Sequence, residues 1–146
     1  MKRTKRFESE RGTALMETAL TLPLILLVSV GIFEFGRAYQ TVHVLTNAAR
    51  EGARVAVLPG SSSDNVKERV VAYLESGKVP NPSTASVVVN PSVSISYGTG
   101  TATGSQVTVN YPFSFVVLNP VARLIVKGSE LGAPITMAAS AVMRNE

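Results

Sequence analysis

The chain has 146 residues, 45% of them hydrophobic and 16% charged, with a mean hydropathy of +0.22; that is room for one domain, with some apolar sequence left over to meet lipid. Its net charge of +4 is concentrated at the start, where Lys2, Arg3, Lys5, Arg6 and Arg11 stand against Glu8 and Glu10. What remains offers no basic face to follow a phosphate backbone, so nucleic acid is not an expected partner, and the absence of cysteine excludes disulfides and thiolate metal sites while leaving the compartment open.

After the basic segment 1–12 comes TALTLPLILLVSVGIF, free of charge between Glu17 and Glu34. Extended to 13–36, the stretch reaches the roughly 20 apolar residues that a membrane helix needs. The basic residues precede it and Arg37 alone follows closely, so the positive-inside rule puts the N-terminus in the cytoplasm and the C-terminal region outside. A soluble core helix would carry a polar stripe, and this one does not. A cleaved secretory signal, with Ser29-Val30-Gly31 as its cut site, is the alternative. Against it stand Glu17 at the cytoplasmic edge and the helical pattern that continues to Pro59-Gly60 without a breaker. One helix is therefore expected over about 13–58, roughly 65–70 Å long, kinked at Pro23, with residues 37–58 projecting outward and Val42, Leu45, Ala49 and Gly52 forming a docking stripe.

Pro59-Gly60-Ser61-Ser62-Ser63 reads as a turn, and residues 59–146 as an exported α+β domain. A second helix opens at Asp64 or Asn65 as cap, repeats Val66, Val70, Tyr73 and Leu74, and stops at Gly77. From Asn81 the period changes to two. Val93, Ile95 and Tyr97 share one face, and Val107, Val109, Tyr111, Phe113 and Phe115 another, the pattern of a half-buried antiparallel sheet. Pro112 cannot donate to a ladder, so its strand is expected at an edge or bulged. Asn81-Pro82, Asn90-Pro91 and Asn119-Pro120 read as turns, the last alternatively capping a short helix 121–127 ended by Gly128. A strand over 135–143 closes an architecture of one long helix and one or two short ones on three or four antiparallel strands.

Little here points to chemistry. The glycine-rich segment 98–105 lacks a following lysine and sits between strands, so it reads as a flexible hairpin loop and not as a phosphate cradle. His43 is the single histidine, and Glu51, Asp64, Glu68, Glu75 and Glu130 show no paired spacing. The reading is of a non-enzyme with no cofactor and no metal. Glu17 is the residue that asks for a reason, since a carboxylate one turn inside an apolar run is costly. A boundary residue snorkelling to water is one account. The other uses Gly12: a cut after it would free the Thr13 amine four residues before Glu17, on the same helical face, to pair with the carboxylate of its own chain or of a neighbour.

Arg11-Gly12-Thr13-Ala14-Leu15-Met16-Glu17 resembles the prepilin processing motif, although Thr18 stands where such pilins usually carry an aromatic residue. The stretch Leu22-Pro23-Leu24 through Phe33-Glu34-Phe35-Gly36-Arg37 and then Thr46-Asn47-Ala48-Ala49-Arg50-Glu51-Gly52-Ala53-Arg54 resembles the TadE-like minor pilins, or pseudopilins, of tight-adherence (Flp) pilus systems. Residues 107–113 and 135–144 fit the same family. The resemblance implies a pilin-like fold and a single-pass protein of the bacterial cytoplasmic (inner) membrane with its C-terminal domain periplasmic or extracytoplasmic. It implies a minor subunit assisting assembly of an adhesive type IVb fibre. A prepilin peptidase would cut between Gly12 and Thr13, Glu17 would serve subunit packing, and the lipid bilayer, other pseudopilins or pilins and the Tad secretion machinery would be partners. The rival reading is a membrane-tethered extracytoplasmic binding domain that enters no fibre.

Overall fold

The computed structural model describes residues 5–98, 100–125, 128, 130 and 132–145, with the backbone alone at 5–11, 97, 122, 124 and 125. Its first element, α1 (Lys5–Ala56), is a single helix of 52 residues, about 78 Å at 1.5 Å per residue. It begins earlier than the sequence pattern suggests, because the charged leader from Lys5 is helical too, whereas Lys2 and Arg3 lie outside the described residues. Pro23 is accommodated within it. Hydroxyls that would be stranded in an apolar helix turn back on it: Thr18, Thr21 and Ser29 donate to the carbonyls of Ala14, Glu17 and Ile25.

Helix α2 (Ser63–Ser76) is capped by neither Asp64 nor Asn65 but by Ser62, whose hydroxyl accepts from the Asn65 N–H at 3.2 Å. Its apolar repeat is as expected, with Val66, Val70 and Leu74 buried. Gly77 does end the helix, but not through a left-handed backbone: its φ is −77°, and Lys78 takes the positive value of 55°. Glycine is needed there for space. A Cβ at 77 would lie 2.5 Å from Val44 Cγ1 of α1.

A three-stranded antiparallel meander follows a 3₁₀ turn at Pro82–Thr84: β1 (Ser86–Tyr97), β2 (Gly100–Phe113) and β3 (Ile135–Arg144), with β2 in the centre. Two expectations fail in β1 and β2. Asn90-Pro91 is not a turn but a bulge inside β1, where the register slips between Asn90 and Val93; the Pro91 carbonyl is met by Asn145 Nδ2 and Ser105 Oγ. Of the supposed loop 98–105, Gly100–Ser105 is strand, and Tyr97 already pairs with Gly100 across a tight turn, Thr99 lying outside the described residues. The glycine at 104 is spatial, since a Cβ there would lie 2.6 Å from the Met143 carbonyl oxygen. Pro112 sits in the central strand yet disturbs nothing: β1 pairs β2 only as far as Asn110, so residues 111–113 pair with β3 alone and that stretch is locally an edge.

Between Phe113 and β3 the chain forms α3 (Leu118–Ile125), which contains Asn119-Pro120 in its first turn; the expected continuation to residues 126 and 127 lies outside the described residues. The core is built by α1, α2 and the inner faces of β2 and β3: Leu45, Ala48, Ala49 and Ala53 meet Val66, Val70 and Leu74 on one side and Val107, Val109 and Phe113 on the other. Val42, expected on the docking stripe, points outward at 42% exposure; Thr41 and Ala48 are buried in that face instead. Val42 is within about 20° of Ala49 in helical phase, so the difference is one of position along the axis: the buried apolar residues of α1 begin at Leu45. Gly52 allows the closest approach, a Cβ there falling 2.6 Å from Val70 Cγ2 and 3.2 Å from Val107 Cγ1.

Candidate functional site

Apart from the face at Pro23, Leu26, Leu27 and Val30 that lies beside Val117, Leu118 and Val121, the N-terminal half of α1 stands clear of the domain. Leu15, Leu20, Leu24, Ile25, Ile32 and Phe33 are all more than 60% exposed. This helix is long and apolar enough to cross a membrane. Of the three residues singled out by the processing motif, Gly12 and Glu17 are exposed on it, nothing lies within 4 Å of where a Gly12 Cβ would be, and Thr13 and Glu17 sit one helical turn apart.

Where the apolar run ends, the structure assembles a cluster that the sequence pattern does not announce. Glu34 is 1% exposed. Its Oε2 accepts the Val116 N–H at 3.0 Å and the Arg37 guanidinium at 3.3 Å. Arg37 also donates from Nη2 to the Ser114 carbonyl, and its guanidinium carbon lies 4.5 Å from the centroid of the Phe113 ring. Phe113 meets Phe115 edge-on at 5.2 Å, and Phe115 meets Phe35 at 6.2 Å. One carboxylate thus ties the end of β2 to α1 at the boundary between its apolar and domain-packed halves. Burial of the ion is tolerated because both of its oxygen's partners are close and one is charged. The sequence signal for it is slight: a Glu and an Arg three apart among Phe33 and Phe35.

Beside this cluster a groove of about 530 Å³ runs between Phe33, Gly36 and Arg37 on α1 and Lys78–Pro80. Elsewhere the charged residues read as scaffold. Arg69 reaches from α2 to Glu51 on α1 at 2.7 Å and 3.2 Å, with Arg54 at 3.8 Å, and the Arg69 hydrogen bond holds the Glu51 carboxyl below its ordinary value, against a smaller opposing effect of burial. Asp64 pairs with Lys67. His43 is exposed and stacks edge-on against Tyr39 at 4.3 Å. Tyr111 donates its hydroxyl to the Pro80 carbonyl, and burial raises its pKa, partly offset by Arg37. Among the described residues no group of three or more His, Cys, Asp or Glu side chains is arranged to hold a metal ion.

Comparison with curated proteins and with solved structures gives no match. Residues 12–54 match the family model described as TadE-like protein. The matched segment begins at Gly12, spans the exposed apolar half of α1, includes Glu34 and Arg37, and ends at Arg54, just past the buried Ala53. Through that segment, which is less than half of its length, the chain is similar to the TadE-like proteins.

Proposed function

We propose that this protein is a membrane-anchored minor pilin, or pseudopilin, that assists assembly of a tight-adherence fibre and thereby surface adhesion. The observation that carries the proposal is the TadE-like segment 12–54 laid over a helix whose apolar half the chain's own domain leaves bare. In this reading residues 1–12 are a cytoplasmic leader, 13–36 the membrane span, 37–58 its extension and 59–146 the exported domain. A prepilin peptidase cuts between Gly12 and Thr13. Glycine has one of the lowest helix propensities, so opening the helix there for a peptidase is cheaper than at an alanine or leucine. The new Thr13 amine then faces Glu17 one turn away, and the pair sets the register between neighbouring subunits. Other pseudopilins and the secretion machinery are the partners, and the role needs no catalysis.

Two experiments test this. Co-expression with the peptidase should increase gel mobility of the native chain and not of Gly12→Val; identical mobility in all lanes removes the processing step. A cysteine placed at Ala14 should crosslink to a second copy or to another pilin in the membrane. Recovery of monomer alone would favour the rival reading, a tethered binding domain outside any fibre.

A further inference from the structure

We propose that α3 is a second membrane contact, seated in the outer half of the bilayer alongside α1. The inference rests on the reading of residues 13–36 as the span, and it follows from where α3 lands. Val117, Leu118 and Val121 meet α1 at Pro23, Leu26, Leu27 and Val30, around an apolar groove of about 310 Å³. Val30 lies four residues and Pro23 eleven residues before Glu34, about 6 Å and 16 Å along the helix axis. In a hydrocarbon layer about 30 Å thick, that range reaches from just below the outer surface to near the midplane. A helix docked at these residues shares their depth.

The chain is suited to the position. From Val116 to Ala122 it carries no charge; Val116 is 63% exposed, and Val117, on the α1 side of the groove, keeps 38% exposure. Arg123, exposed in the last turn, is long enough to reach toward headgroups. Irregular backbone entering hydrocarbon must have its polar groups satisfied within the protein. Here the Val116 N–H bonds to the buried Glu34 carboxylate, the Val121 N–H bonds to the Val117 carbonyl, and Pro120 has no N–H to satisfy. Glu34 thereby gains a purpose beyond tying two elements together: it closes the backbone at the point where the chain turns down into lipid. The occupant of the outer α3 surface is phospholipid acyl chain.

The chain lacks cysteine, so single thiols report cleanly. Val30→Cys, Val117→Cys, Val121→Cys and, on β1, Ser94→Cys would be placed in the full chain and reconstituted in phospholipid vesicles. Each is exposed to a membrane-impermeant maleimide and, after fluorophore labelling in detergent, to lipids carrying a nitroxide at mid-chain. Thiols at 30, 117 and 121 should react about tenfold or more slowly than the thiol at 94, since the thiolate that reacts forms in water, and their fluorophores should be quenched. If 117 and 121 react like 94 while 30 stays protected, α3 lies outside the bilayer and the proposal fails while the anchor stands. If 30 reacts as well, the spanning reading itself fails. Protection at 121 without lipid quenching, together with a crosslink to a second copy, would assign the surface to another subunit and overturn the proposal.

Discussion

The two halves of α1 are continuous in backbone and opposite in environment. From Leu15 to Phe33 the side chains are large, branched and bare; from Leu45 to Ala53 the inward positions are mostly Ala and Gly and are wholly buried. A helix that faces lipid needs bulk and apolarity but no fit. A helix clamped between α2 and β2 needs the reverse, small side chains that let neighbours come close, as the Gly52 contact with Val70 and Val107 demonstrates. The more hydrophobic half is therefore the one that contributes less to folding of the domain.

That contrast can be broken by paired substitutions in the full chain, followed by loss of sheet signal on heating in detergent. Leu45→Ala removes a side chain 1% exposed and should destabilise the domain by about 2–5 kcal/mol, whereas Leu24→Ala, at 63% exposure, should leave it unchanged. Equal losses would mean that the apolar half supports the domain after all. Glu34→Ala tests the boundary. It strands the Val116 N–H and removes the Arg37 partner, and should cost about 1–3 kcal/mol with faster hydrogen exchange at Val116. An unchanged midpoint and exchange rate would reduce the cluster to a bystander.

The smallest effect is a pH dependence at the far end of the helix. The Glu51 carboxyl is held below its ordinary value in the fold, mainly by Arg69, so the unfolded chain binds its proton first as pH falls. The stability it contributes is complete above the ordinary carboxyl value near 4.5 and is lost as pH drops through the depressed one. Arg69 is half-exposed, so the contribution should be under about 1 kcal/mol and should shrink in salt. Comparing the acid limb of the stability curve for native chain and Glu51→Gln measures it; superimposable limbs would show that the pair adds nothing.

These residues also explain what the sequence makes legible. Periodicity is a local property, so it located α1, α2 and the inward face Val107, Val109, Tyr111 and Phe113; of the resemblance, the part that the family model matches, 12–54, sits in one uninterrupted helix, and 107–113 and 135–144 lie outside the match. It went wrong where a residue answers to something distant. Asn90-Pro91 looks like a turn until β2 is alongside to absorb the slipped register. Gly77 does end α2 as its position suggests, but the reason glycine is needed there is Val44, thirty-three residues earlier on another helix. Glu34 looks like the polar end of an apolar run, and its partner Val116 lies 82 residues further on. Gly12 and Glu17 belong to a different case: their spacing is a sequence motif, and their proposed partners are other molecules.

The join at Glu34 also bears on encounters between copies. A domain on a flexible tether samples every tilt above the bilayer and loses that freedom each time it docks. Here one unbroken helix, with the end of β2 held to it at Glu34, would limit how far the domain can swing relative to the proposed span. If residues 13–36 span a bilayer as proposed, two molecules in the same sheet of lipid would meet at matching height. Much of the rotational entropy that association ordinarily forfeits has been given up beforehand, during folding.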